Sequence, residues 1–131
     1  MKLSSKSAGA GSLGNSSQDI LIIDDTPDNL RILSSILARA GYKVRKALNW
    51  QMAFTTCQTQ LPDLILLEIM MPEVDGYEIC QRFKANRKTA DIPIIFITAL
   101  DDILDKVRAF NVGGVDYITK QFEFAEVIVR V

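Results

Sequence analysis

A chain of 131 residues with a net charge of −1 has the length of one domain and no excess of basic charge that would favour a polyanionic partner. Its 48% of hydrophobic residues can form a core, but no apolar run approaches the roughly 18 residues that span a membrane. No secretory signal is visible, so we expect a cytoplasmic location. The absence of histidine excludes Ser-His and Cys-His catalysis, histidine metal sites and a phosphohistidine carrier.

The amino-terminal part of the chain separates a tail from a domain. Residues 1–18 are rich in Ser and Gly and lack periodicity, which predicts a flexible tail or linker before a domain over residues 19–131. Ile20 to Ile23 predicts a first strand that ends on Asp24 and Asp25. Thr26 as N-cap and Pro27 at the first helical position then predict a helix. The helix ends at Gly41. Its apolar face is formed by Leu30, Leu33, Ile36, Leu37 and Ala40.

The middle of the chain predicts an edge strand, a helix and a buried strand. Tyr42 to Ala47 is a polar strand, and Asn49 can cap a helix with Trp50, Ala53, Phe54 and Cys57 on one face. We expect Cys57 and Cys80 to be reduced, buried thiols. In DLILLEIMMPEVDG (63–76), the apolar run predicts a strand buried on both faces, and Pro72 and Gly76 predict the turn that follows. Glu68, at the carboxyl end of this strand, is either a functional carboxylate or a solvated acid.

Helices and strands continue to alternate to the end of the chain. We predict a helix over about Gly76 to Asn86, a strand over Ile92 to Ile97 that ends on Thr98-Ala99, and a strand over Val115 to Ile118 before Thr119-Lys120. Asp101 or Asp102 opens a helix with Ile103, Leu104, Val107 and Phe110 at helical spacing. A short last helix, Glu123 to Val131, has a predicted buried face of Phe124, Val127, Ile128 and Val131. This alternation predicts an α/β fold, a parallel sheet with helices on both faces.

Polar residues follow four of the five predicted strands. In a parallel sheet the strand ends share one edge, so we expect Asp24, Asp25, Glu68, Thr98 and Lys120 to converge. Clustered carboxylates repel one another unless a cation neutralises them, and Mg²⁺ prefers such oxygen ligands. The Thr98 hydroxyl and the Lys120 ammonium could contact phosphoryl oxygens. The pattern therefore predicts an Mg²⁺-assisted phosphoryl-binding pocket.

The motifs ILIIDD, LLEIMMPEVDG, FITA and DYITK occur in this order and resemble the receiver (response-regulator) domains of bacterial two-component signalling. The resemblance implies a flavodoxin-like three-layer sandwich with a five-stranded sheet in the order 2-1-3-4-5. It implies Mg²⁺ bound through Asp24 or Asp25, position 68 and the Met70 carbonyl, and phosphoryl contacts from Thr98, Ala99 and Lys120. Thr98 and Tyr117 would form a conformational switch, in which Tyr117 changes rotamer when Thr98 moves. The implied partners are a histidine kinase, an attached kinase or output domain, and a second copy through the face of helix 4, strand 5 and helix 5.

Two residues depart from the family pattern. Pro72 and Gly76, four and eight residues on, set Glu68 at the position of the family's phosphoacceptor aspartate. Our hypothesis is that the chain is not normally phosphorylated and that Glu68 partly mimics a phosphoryl group, with self-phosphorylation and self-dephosphorylation impaired. The alternative is a receiver that still accepts phosphate from a histidine kinase with Mg²⁺. Gln121 replaces a proline, so we predict a trans Lys120-Gln121 peptide.

Two other functional classes fit the sequence less well. A flavodoxin-like cofactor enzyme needs a phosphate-binding loop after the first strand, and the acidic DDTPDN at this position repels phosphate. No basic face or helix-turn-helix pattern predicts contact with nucleic acid. We therefore expect a signalling module rather than an enzyme or a DNA-binding domain.

Overall fold

The computed structural model describes residues 18–120 and 124–131, and its centre is a five-stranded parallel sheet. The strands lie in the order β2-β1-β3-β4-β5, as predicted. Their bounds are β1 Asp19–Ile23, β2 Lys43–Ala47, β3 Leu64–Leu67, β4 Ile94–Thr98 and β5 Asp116–Thr119. Residues 1–17 of the tail predicted over residues 1–18 and the Lys120-Gln121 peptide lie outside the described residues.

Helices connect the strands and lie on both faces of the sheet. They are α1 Pro27–Arg39, α2 Trp50–Thr59, α3 Gly76–Ala85, α4 Ile103–Asn111 and α5 Phe124–Arg130. Asn49, Asp75 and Asp102 cap α2, α3 and α4 through their side chains. The predicted cap Thr26 makes no such bond, and its main-chain N–H instead donates to Asp24. No helix within 18–120 or 124–131 is long and apolar enough to cross a membrane.

The apolar strands are buried because each face of the sheet packs against its own helices. In β3, Ile65 and Leu67 belong to one core with residues of α2 and α3, whereas Leu64 and Leu66 belong to the other with residues of α1 and α5. Successive side chains of a strand point to opposite faces, so an unbroken apolar run fills both cores. Cys57 and Cys80 are buried free thiols, as predicted.

Helix α4 differs from α1 and α3 in which of its residues face solvent. Its four large apolar residues are exposed, whereas Ala109 on its inner side is buried. Asp105 accepts a hydrogen bond from Tyr77 of α3, and the Arg108 guanidinium lies 4.1 Å from the centroid of the same ring. Polar contacts therefore attach α4 to the domain and leave an exposed surface, the α4 apolar face, formed by Ile103, Leu104, Val107 and Phe110.

Candidate functional site

The carboxyl edge of the sheet brings together side chains from distant parts of the sequence. Asp24 follows β1, Glu68 follows β3 and Lys120 follows β5. The main-chain N–H of Glu68 donates to the Ile23 carbonyl at 3.0 Å, and that of Asp24 donates to the Ala47 carbonyl at 3.1 Å. The sheet hydrogen bonding therefore continues into both acidic positions and holds their main chains in place.

The acidic side chains of this edge are buried around a single ammonium group. Asp24 is fully buried, and only 4% of Glu68 is exposed. Lys120 Nζ lies 3.1 Å from Asp24 Oδ2 and also forms an ion pair with Glu68 Oε1. Lys120 thus bridges two carboxylates that would otherwise repel each other in a poorly solvated site.

The other oxygens of the two carboxylates are bound by main-chain amides. Glu68 Oε2 accepts hydrogen bonds from the N–H groups of Ile69 at 2.7 Å and Met70 at 3.0 Å. Asp24 Oδ1 accepts from the N–H of Thr26 at 2.9 Å. Successive amides that point at one oxygen form a small anion-binding site, and the Glu68 carboxylate occupies it.

The environment keeps Lys120 charged. Burial lowers the pKa of the ammonium, but the hydrogen bonds and charges of Glu68 and Asp24 raise it further, so the pKa lies above its usual value. At neutral pH the site therefore contains one full positive charge between two carboxylates.

Gly76 allows α3 to approach the residue that ends β3. Its N–H donates to the Ile69 carbonyl at 2.8 Å. A Cβ atom at position 76 would lie 2.2 Å from the Glu68 carbonyl oxygen and 2.7 Å from Ile69 Cα, which are both main-chain atoms. Only glycine fits here, which explains the glycine that follows the predicted turn.

The remaining predicted residues make no side-chain hydrogen bond to this centre, although the Thr98 carbonyl accepts from the main-chain N–H of Lys120 at 2.6 Å. Thr98 is fully buried, and its hydroxyl accepts a long hydrogen bond of 3.4 Å from the Leu100 N–H. Tyr117 is buried and donates to the Leu100 carbonyl at 2.7 Å, which links both residues to the loop before α4. Ala99 is exposed beside them. The roles predicted for these three residues stay predictions.

The residues expected to bind Mg²⁺ are arranged differently from a metal ligand set. Asp25 is exposed to solvent, and Met70 donates its N–H to Glu68 at 3.0 Å. The ligand role expected of the Met70 carbonyl stays a prediction. Among the residues that the structure describes, no group of three His, Cys, Asp or Glu side chains is placed to hold a metal ion. As arranged here, the carboxylates of Asp24 and Glu68 serve Lys120 and do not fit the predicted set.

The main-chain donors of this site could not be found from the sequence. Every residue except proline carries an N–H group, so nothing in the letters of Ile69 and Met70 marks them as ligands of a carboxylate. The loop conformation after β3 decides this role, and that conformation depends on the contact between Gly76 and the Ile69 carbonyl.

Comparisons with known proteins show what the sequence and the fold of this chain are similar to. Residues 20–131 match the family model of the response regulator receiver domain. The "DNA-binding dual master transcriptional regulator RpaA" of Synechocystis sp. is 43% identical over 112 residues, which cover 86% of this chain and 46% of that protein. The "Probable transcriptional regulator ycf27" of Cyanidium caldarium is 43% identical over 112 residues, covering 86% and 44%. The chain therefore spans less than half the length of these curated relatives.

Solved structures show the same fold. The receiver domain of a signal transduction histidine kinase from Syntrophus aciditrophicus has a TM-score of 0.79 and 33% identity, covering 87% of this chain and 86% of that one. A two-component response regulator from Clostridium difficile has a TM-score of 0.81 and 29% identity, covering 87% and 92%.

Proposed function

The chain belongs to the family of response regulator receiver domains, and we propose that it is a two-component signalling module with Glu68 at the phosphoacceptor position. In this proposal Glu68 mimics a phosphoryl group, and the domain acts through contacts with other proteins rather than by catalysis. The position of Glu68 is inferred from the motif spacing, with Pro72 four and Gly76 eight residues further on.

The observation that carries the proposal is the contact between Glu68 and Lys120. The resemblance assigns Lys120 to the phosphoryl group of a modified receiver. Here the Glu68 carboxylate itself contacts the Lys120 ammonium and also accepts two main-chain hydrogen bonds. The longer side chain thus puts a negative charge against the groups that would hold a phosphoryl group.

The same contacts argue against efficient phosphorylation of Glu68. One extra methylene moves the carboxylate outward by about 1.3 Å relative to aspartate. A misplacement of about 1 Å can reduce the rate of an in-line displacement by about 10²-fold. In addition, the three donors on the carboxylate stabilise its negative charge, which makes it a weaker nucleophile.

We propose that the α4 apolar face and the neighbouring Val115 form the contact surface of the module. Between 48% and 74% of each of these five apolar residues is exposed, and exposed apolar patches mark interaction sites. Candidate partners are a histidine kinase, an attached kinase or output domain, and a second copy of this chain. A net charge of −1 favours protein partners over nucleic acid. The cytoplasmic location expected from the sequence stays a prediction.

The proposal is tested by treating the protein with acetyl phosphate and Mg²⁺ and measuring intact mass. We expect the unaltered chain to keep its mass, because the Glu68 carboxylate is displaced and held by Lys120. Glu68→Asp restores the shorter acceptor and should gain the mass of one phosphoryl group.

The matched control is Glu68→Gln, which keeps the length of the side chain but cannot form an acyl phosphate. A phosphoryl group mapped to Glu68 by peptide sequencing would contradict the proposal and favour a phosphorylation-competent receiver. If neither the unaltered chain nor Glu68→Asp is modified, the length of Glu68 is not what prevents phosphorylation. That result would also count against the proposal.

A further inference from the structure

The acidic pocket contains its own cation. Asp24 and Glu68 are both buried, and the Lys120 ammonium lies between them, bound to one oxygen of each carboxylate. The side chain of Lys120 is itself only 20% exposed, so little solvent screens these contacts.

All four carboxylate oxygens of this pair have a donor. Lys120 binds Asp24 Oδ2 and Glu68 Oε1, and main-chain N–H groups bind Asp24 Oδ1 and Glu68 Oε2. The repulsion between the two carboxylates is therefore already relieved. A divalent ion would relieve little further repulsion between the carboxylates unless it first displaced the ammonium.

Mg²⁺ demands an octahedral set of oxygen ligands at about 2.0–2.1 Å and retains several of its waters. In this site the Lys120 ammonium occupies the space between the two buried carboxylates, and Asp25, the third acid, is exposed. An ammonium within hydrogen-bond distance of both carboxylates therefore competes with a Mg²⁺ ion for their oxygens and repels its charge.

We propose that Lys120 replaces the divalent ion in this receiver, so that its acidic pocket is formed and maintained without Mg²⁺. The length of Glu68 favours this contact, because its side chain is one methylene longer than aspartate and carries the carboxylate about 1.3 Å further out. The inference rests on the proposed role of Glu68 but concerns metal binding, which is measured independently of phosphorylation.

The test is a titration of the purified chain with Mg²⁺, read by the melting temperature and by calorimetry, with Mn²⁺ binding followed by electron paramagnetic resonance. We expect no saturable response from the unaltered protein. Glu68→Asp withdraws the carboxylate from Lys120 and should bind the ion. At about 100 times its Kd, Mg²⁺ should raise the melting temperature of this variant by roughly 10 °C.

Lys120→Gln tests the replacement directly. Without the ammonium the two carboxylates are left facing each other, so this variant should melt at a lower temperature and Mg²⁺ should restore part of the loss. Lys84→Gln is the matched control, because Lys84 Nζ is also held, by the carbonyls of Ala90 and Ile92, and no carboxylate is involved. It should lose stability without any rescue by Mg²⁺.

Saturable Mg²⁺ binding by the unaltered chain, with a Kd within tenfold of that of Glu68→Asp, would overturn the inference. So would a folded Lys120→Gln variant that does not respond to Mg²⁺, or a Glu68→Asp variant that does not. If Lys120→Gln fails to fold, the comparison between the unaltered chain and Glu68→Asp still decides. If Glu68 is phosphorylated but the unaltered chain binds no Mg²⁺, only the proposed function is refuted. Failure of the proposed function can therefore be told apart from failure of the inference about the metal.

Discussion

At the scale of single residues, Gly76 controls the position of Glu68. A methyl group at residue 76 would meet the main-chain oxygen of Glu68 and the Cα of Ile69, and neither atom can move without moving the loop after β3. That loop carries the two amides that bind the Glu68 carboxylate. A substitution at residue 76, which lies outside the charged centre, should therefore disturb the contacts of the Glu68 carboxylate.

We predict that Gly76→Ala destabilises the domain by about 1–3 kcal/mol, as overpacking does, and disturbs the carboxylate site. The measurements are urea denaturation and the amide chemical shifts of Ile69 and Met70. Gly41→Ala is the control, because a Cβ at Gly41 meets nothing within 4 Å although its φ of +98° is strained for alanine. It should lose stability and leave both amide shifts unchanged. Unchanged shifts in Gly76→Ala would contradict this account.

Tyr77 is a second residue with a testable electrostatic role. Its hydroxyl donates to the Asp105 carbonyl at 3.1 Å and to the Asp105 carboxylate at 3.3 Å. Burial, followed by the charge of Asp105, raises the pKa of this phenol from 10.0 to about 12. Between these two values the folded protein keeps a proton that the unfolded chain loses, so the contribution of Tyr77 falls as pH rises from about 10 to about 12.

We expect Tyr77→Phe to remove this contribution to the pH dependence of stability. The urea midpoints of both proteins should be measured from pH 8 to pH 12. The difference between them should be constant below pH 10 and should shrink above it, because the unaltered chain loses stability faster. Parallel curves over the whole range would show that the hydroxyl proton is not held more tightly in the folded state.

At the scale of elements, α1 and α4 show how similar apolar patterns lead to different surfaces. Leu33 and Leu37 of α1 are buried against the sheet, whereas Leu104 and Val107 of α4 are exposed. The inner side of α4 carries the buried Ala109, and Asp105 and Arg108 attach the helix to Tyr77. Lys106 adds an ion pair of 2.9 Å to Asp101 and lies 5.8 Å from the centroid of the Tyr117 ring. Helix α4 is thus held to its neighbours by polar contacts and presents its apolar residues to solvent.

We predict that Leu104→Glu in the α4 apolar face changes association and leaves the fold intact. Because Leu104 is 74% exposed, its replacement should alter the free energy of unfolding by no more than about 0.5 kcal/mol. Sedimentation over a range of concentrations should show weaker self-association than in the unaltered chain. Ile32→Glu is the control, since Ile32 is 42% exposed on α1 and should not affect association. Equal association of all three proteins would argue against a second copy as the occupant of this face.

At the scale of the whole molecule, the strand order explains where the charges meet. Strand β1 lies between β2 and β3, so the chain crosses from one side of β1 to the other. Open α/β sheets bind ligands at such a reversal of strand order, and Asp24 and Glu68 lie at the ends of these two neighbouring strands. Lys120 reaches Asp24 across 96 positions of sequence from the far edge of the sheet. The pocket is therefore a product of topology rather than of a local motif.

Much of this arrangement could be predicted, because the relevant signals are local. The apolar run 64–67 and the turn residues after it indicated a buried strand with Glu68 at its end, and the structure confirms both. The order of strands and helices and the edge position of β2 are confirmed as well. The predicted ends of strands differ by one or two residues, as for β4, which begins at Ile94 rather than Ile92.

The omissions concern which partner each side chain finds in the folded chain. Thr26 is the N-cap residue of α1, as predicted, but its side chain makes no capping hydrogen bond, and its N–H donates to the Asp24 carboxylate. The last helix was predicted to bury Val127, Ile128 and Val131, and of these Ile128 is only partly buried. Phe124, the fourth member of that face, has no described side chain.

By itself the sequence determined the type, order and approximate ends of the elements and the residues that close each strand, because periodicity and turn chemistry act over a few neighbouring residues. Only the tertiary structure decided that Glu68 binds Lys120 and two amides and that α4 turns its apolar residues outward. Both outcomes depend on contacts between segments tens of residues apart, whose geometry no local pattern encodes.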